Sequence, residues 1–156
     1  MKSQKGFTLI EMVIVIAVIG ILMGLVFNGT RSVQSNARDT RRMADLKKVQ
    51  TYLELYYNRC GHYPGGATCS PGSVSAPASW DALKDALVAT VADEADIPDN
   101  DPSGEDYRYG VNIPRGFEYV LGARMERGVP VDSYEGALYG LNCGPDFPQD
   151  NLYCVR

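Results

Sequence analysis

The sequence predicts an α+β protein in which one long N-terminal helix packs on a small antiparallel sheet. Three observations carry the prediction. Residues 7–27 are an apolar run with a single charge, Glu11. Residues 30–58 then place apolar side chains three and four apart, the period of a helix with one buried face. Beyond Cys60 the chain turns to short alternating segments punctuated by glycine and proline, the pattern of strands and turns.

The apolar run comes first. Phe7 to Phe27, FTLIEMVIVIAVIGILMGLVF, would make a helix about 31 Å long, enough to cross a bilayer core. Six residues precede it, with Lys2 and Lys5 among them, so this end is expected to stay cytoplasmic while the remainder is exported. A secretory signal peptide has a shorter apolar core and a small-residue cleavage site close behind it. The loose match Ser35-Asn36-Ala37 lies well past the end of this run. A plain single-span anchor explains the length but not Glu11, since a carboxylate inside a membrane helix costs roughly 2.5–3.5 kcal/mol. A cut after Gly6 would leave a cationic amino terminus on Phe7. Set against Glu11 of a neighbouring helix at ~4 Å and an effective dielectric of about 20, it would gain on the order of 4 kcal/mol. Such a pair would also fix the stagger between two helices, which points to a self-assembling helix.

With the basic leader before it, Gly6-Phe7-Thr8-Leu9-Ile10-Glu11 resembles the prepilin signature of type IV pilins and of type II secretion pseudopilins. The resemblance implies the type IV pilin fold, cleavage by prepilin peptidase between Gly6 and Phe7, and N-methylation of Phe7. It further implies that Glu11 guides docking into a helical filament of identical subunits, built at an inner-membrane pilus assembly platform. The protein is then expected as a single-pass protein of the bacterial inner membrane before assembly and as an extracellular or periplasmic filament afterwards.

The expected divisions are a leader (1–6), a transmembrane and assembly helix (7–27), an amphipathic helix (28–58) and a globular head (59–156). Within the span, Gly20 and Gly24 form a small-xxx-small pair open to three readings: close helix approach, local loosening of the helix on packing as in type IV pilins, or ordinary membrane-helix glycines. In the amphipathic part, Val33, Ala37, Thr40, Met43, Leu46, Val49, Leu53 and Tyr56 are expected to carry the sheet. Arg38, Arg41, Arg42, Lys47 and Lys48 are expected on the solvent or neighbour side. Residues 60–66 break the helix, and 65–79, rich in Gly, Ser, Pro and Ala, read as a surface loop. Ser79 is a candidate N-cap for a short helix that buries Trp80, Leu83, Ala86, Leu87 and Val91. Residues 107–111 and 117–126 read as a hairpin, with a further strand at 137–139.

Four cysteines, Cys60, Cys69, Cys143 and Cys154, lie in the exported part. Their even number reads as two disulfides with three possible connectivities, and local pairing, Cys60–Cys69 and Cys143–Cys154, is expected. Zinc is disfavoured by the lack of a Cys-x-x-Cys pair and by a single histidine, His62. In type IV pilins a disulfide-bounded segment near the carboxyl end lies exposed on the filament, and 143–154 looks like such a segment. Residues 93–106 form an acidic stretch; within it 97–104, followed by 107–110, is similar to the proline- and acid-containing loop before the sheet of major pseudopilins, a family whose heads bind calcium in that region. Asp99 and Asp101 are the candidate calcium ligands; the spacing is not that of an EF-hand.

Net charge is −4, unevenly distributed: six basic residues lie between Arg31 and Lys48, and fifteen acidic residues face six basic ones from Gly61 onward. A basic neck under an acidic head suggests attraction between stacked copies and argues against nucleic acid, which needs clustered cations on an open face. No catalytic constellation emerges, so an enzyme is not expected. The function read from the sequence is a structural subunit of a type IV pilus-like filament. The alternatives are a major pseudopilin of type II secretion and, from another class, a tip adhesin or DNA-capture module.

Overall fold

The computed structural model describes residues 6–65, 69, 79–113, 115–144 and 151–156, the side chains of 25–31 excluded. The elements in chain order are α1 (Leu9–Cys60), α2 (Trp80–Thr90), a 3-10 turn (Glu94–Asp96), and strands β1 (Arg108–Val111), β2 (Tyr119–Arg124), β3 (Gly136–Leu138), β4 (Leu141–Cys143) and β5 (Leu152–Val155). The chain divides into two compact units, Met1–Ser35 and Asn36–Arg156. The fold class is α+β, with the N-terminal helix and a small antiparallel sheet. The expected loop 65–79 falls mostly on residues outside the description.

In the first unit, α1 begins where Thr8 caps it. Among the described residues, no helix is both long and apolar enough to cross a membrane.

In the second unit, a three-stranded antiparallel sheet has the order β1-β2-β5, pairing Arg108 with Gly122 and Arg124 with Leu152. Both of its faces are covered. Tyr109, Val111, Tyr119, Leu121, Ala123 and Tyr153 point into a core shared with Leu46, Val49 and Leu53 of α1 and Trp80, Leu83 and Leu87 of α2. The alternate residues Val120, Leu152 and Cys154 point the other way, into a second cluster with Leu141 and Cys143. The two-residue side-chain period of a strand sorts one sequence into these two cores.

The second cluster is roofed by the β3–β4 hairpin. Its loop is Tyr139-Gly140, with φ of 47° and 88°, the double positive φ of a two-residue turn that suits the strand twist. The roof sits so close that a Cβ on Gly110 would lie 2.7 Å from the Tyr139 carbonyl oxygen. One on Gly122 would lie 3.0 Å from the Leu152 side chain. These two glycines are what let the hairpin lie flat on the sheet.

Two expectations about α1 are corrected. The stripe buried against the head is Asp39, Arg42, Leu46, Val49, Leu53 and Tyr56, while Val33, Ala37 and Thr40 are exposed. The expected stripe ran together two faces of one helix: positions 37 and 40 are turned far from 46 when each residue advances by 100°. Arg42, placed on the solvent side from its charge, is buried to 1% exposure. It has three carboxylates to offset its desolvation, and that partnership depends on residues some sixty and eighty positions away.

Strands β4 and β5 went unrecognised in the sequence. Leu152–Val155 carries no polar alternation because both its faces are buried.

Candidate assembly site

At the N-terminus, Thr8-Leu9-Ile10-Glu11 forms a reciprocal cap. The Thr8 backbone N–H and hydroxyl donate to Glu11 Oε2 at 3.0 and 2.9 Å, and the Glu11 N–H donates to Thr8 Oγ1 at 3.3 Å. This is the Ser/Thr-x-x-Glu capping box, which satisfies donors that the first helical turn would leave open. The sequence signal was present in Thr8 and was overlooked beside the charge of Glu11. Placing Glu11 in the first turn also sets its carboxylate at the positive end of the helix dipole.

Phe7 is 78% exposed, and Leu9, Ile10, Met12, Val13 and Ile14 after it are exposed on every side of the helix. A helix apolar all round has no face suited to water. The residues expected at the cleavage point, Gly6 and Phe7, therefore adjoin an apolar segment that carries one carboxylate.

In the second unit the dominant polar feature is a knot around Arg42. Its Nε donates to Asp101 Oδ2 at 2.6 Å and its Nη1 to Asp39 Oδ1 at 2.6 Å and Glu126 Oε1 at 2.9 Å. Its Nη2 donates to Ser103 Oγ at 2.7 Å. Burial works against the charge on Arg42, but the hydrogen bonds to Asp101, Asp39 and Glu126 outweigh it and raise its pKa. Asp101 is likewise opposed by burial, yet the N–H of Glu105, the guanidinium of Arg42 and the hydroxyl and N–H of Ser103 bring its pKa below the ordinary value. Glu126, held first by Arg38 and then by Arg42, is pushed down to about 2. Asp39 accepts from the backbone N–H groups of Glu126 and Arg127, so the knot ties α1 to the chain leaving β2.

That knot engages one of the two candidate calcium ligands. Both Asp101 oxygens already accept hydrogen bonds from Arg42, Ser103 and Glu105, and Asp99 pairs with Lys84. Calcium takes six to eight oxygens. Among the described residues no group of three or more His, Cys, Asp or Glu is arranged to hold a metal.

The structure pairs Cys60 with Cys69 and Cys143 with Cys154. The first closes the chain just after α1. The second links β4 to β5 and is fully buried, so the bond itself belongs to the roof of the sheet; residues 145–150 between its halves are outside the description. His62 is buried, with Nδ1 3.0 Å from the Tyr63 carbonyl and its ring edge-on to Tyr56, so it is part of the core.

Comparison with known proteins follows the N-terminal geometry. The model of the prokaryotic N-terminal methylation motif matches residues 1–27. The motif and the relatives support a likeness to type IV pilins and pseudopilins. It is 39% identical over 54 residues to a fimbrial protein of Pseudomonas aeruginosa, covering 35% of each chain. It is 36% identical over 81 residues to the major component of a type IV wide pilus of Thermus thermophilus, covering 51% of this chain and 62% of that one. To the type II secretion system core protein G of Pseudomonas aeruginosa it is 29% identical over 135 residues, 81% of this chain and 89% of the relative. The match thus spans about a third of the length of the fimbrial proteins. No solved structure matches the chain. Pilins and pseudopilins are structural proteins.

Proposed function

We propose that the chain is the structural subunit of a type IV pilus-like helical filament, assembled through its N-terminal helix. The observation that carries this is the methylation motif at residues 1–27 leading into a helix apolar on all sides, with Glu11 as its single carboxylate. Prepilin peptidase would cut between Gly6 and Phe7 and Phe7 would be N-methylated. The segment 7–27 would sit in the inner membrane until an assembly platform draws it into the filament. Among the packed helices of neighbouring copies, the new amino terminus of Phe7 would compete with Thr8 for Glu11, an attraction strengthened where water is excluded. Cys60–Cys69 and Cys143–Cys154 are compatible with an exported, oxidising location for the head.

A second reading has its own support. The match to core protein G runs through most of both chains, whereas the fimbrial match stops after 54 residues. On that reading the filament is a short pseudopilus. The deciding experiment is intact mass of the protein isolated from cells, with and without reduction, followed by localisation of the filament. A chain that starts at N-methylated Phe7 and gains about four mass units on reduction of two bridges is the expected result. A mass that retains residues 1–6 in assembled material would overturn the processing. Filaments on intact cells would favour the pilus, and filaments confined to the periplasm the pseudopilus.

A further inference from the structure

The face of α1 turned away from the core is uncovered among the described residues. Ala37, Thr40, Ala44, Thr51 and Leu55 are all exposed and fall on one side of the helix, opposite Leu46, Val49 and Leu53. Arg41 and Lys47 flank Ala44 on its two sides. Arg41 is 72% exposed and reaches only Asp45, at 3.9 Å. Lys47 is exposed and takes part in none of the described ion pairs. Lys48 lies on the same face, 46% exposed and paired with Asp96 at 2.9 Å, so the face combines small side chains with positive charge.

The same unit carries a surface of opposite character. A groove of about 410 Å³ follows α2, lined by Asp81, Asp85, Glu94 and Asp99 together with Val88 and Ala89. Lys84 is the only cation lining it, and that ammonium is bound to Asp99. Asp81 and Asp85 stand one turn apart on α2, about 6 Å along the axis, and Arg41 and Lys47 stand about 9 Å apart along α1. Ala44 on one helix and Ala89 on the other leave room for the two axes to approach closely.

We infer that the outer face of α1, centred on Ala44, seats in the α2 groove of a second copy, with Arg41 toward Asp81 and Asp85 and Lys47 toward Glu94. The inference rests on the filament reading above and extends it from the N-terminal helix to the heads. Charge complementarity selects this occupant: the chain supplies both the positive face and the negative groove. The two patches differ, so the contact is heterologous and repeats along an open array instead of closing a dimer.

The test uses the full-length chain in filaments sheared from cells, with isotopically light and heavy copies mixed so that bonds between copies are identified by mass. A zero-length carbodiimide should join Lys47 of one copy to Glu94 of another, a result that needs no substitution. Reversing one side (Arg41→Glu with Lys47→Glu, or Asp85→Lys with Glu94→Lys) should lower filament yield about tenfold, and reversing both sides together should restore most of it. Filaments that form without these cross-links, with yields indifferent to either reversal, would overturn the interface and leave the filament reading standing. Cross-links between copies in membranes from cells that make no filament would uphold the interface and overturn the filament reading.

Discussion

Arg42 Nε lies 2.6 Å from Asp101 Oδ2, and the two side chains are only 1% and 4% exposed. One helix residue and one loop residue, fifty-nine positions apart, thus form an ion pair away from water. It stays ionised because every remaining polar atom is occupied: Asp39, Glu126 and Ser103 complete the guanidinium, and the amides of Ser103 and Glu105 complete the carboxylate. Such a pair fixes which part of the loop meets which turn of α1.

Replacing Arg42 by Met should destabilise the head by about 3–5 kcal/mol, because Asp39 and Asp101 would be left buried without their cation. Urea unfolding of the oxidised chain in detergent, followed by near-ultraviolet circular dichroism, would measure it. Arg42→Lys should recover only part of the loss, since a single ammonium cannot reach the four oxygens the guanidinium serves. A loss below about 1 kcal/mol for Arg42→Met, the level of a surface pair, would show that the knot is not desolvated.

Acid should loosen the same knot. Glu126 is held down to about 2 from an ordinary 4.5. Between those values the unfolded chain takes up a proton that the folded chain refuses. Its contribution to stability is therefore complete above about pH 4.5 and is lost as the pH falls through about 2. Glu126→Gln should flatten this part of the stability-against-pH curve. An unchanged acid limb in that variant would place the sensitivity elsewhere.

Gly110→Ala should cost about 1–3 kcal/mol, the range of an overpacked core. Its new methyl would stand 2.7 Å from a backbone oxygen of the β3–β4 turn, which cannot rotate out of the way. Gly128, with open space around it but a φ of 133°, tests a different effect. Alanine there should destabilise through backbone strain alone, leaving amide exchange in β3 and β4 unaltered, whereas Gly110→Ala should speed exchange in those strands.

Thr8→Ala removes the hydroxyl from the cap on α1 and should weaken the first turn by about 1 kcal/mol. Glu11→Ala removes both the cap and the one carboxylate of the apolar run. If assembly depends on that charge, Glu11→Ala should insert normally yet give far fewer filaments than Thr8→Ala. Equal yields from the two variants would mean that Glu11 acts only as a cap.

Much of this was legible in the residues. The apolar run with Glu11, the break after Cys60, the cap at Ser79 and the paired segments around 108–124 depend on local chemistry: side-chain size, backbone freedom and neighbours within a few positions. Ser79 Oγ accepts from the Ala82 N–H as its position suggests. Strand β5 was not legible, because a strand covered on both faces loses its alternation. Nor was the knot, because nothing within a few residues of Arg42 announces Asp101 or Glu126.

The sequence by itself determined that an apolar helix precedes the rest of the chain, that an α+β head follows, and that positive charge concentrates on the helix and negative charge beyond it. Those properties are set by periodicity and composition, which need no partner at long range. Tertiary structure alone decided which face of α1 is buried, and it turned Arg42 inward against three carboxylates. It also laid the C-terminal hairpin over the sheet at Gly110 and Gly122. Each of these is a choice among contacts between distant segments. Desolvation and close packing decide such choices, and both exist only once the segments have met.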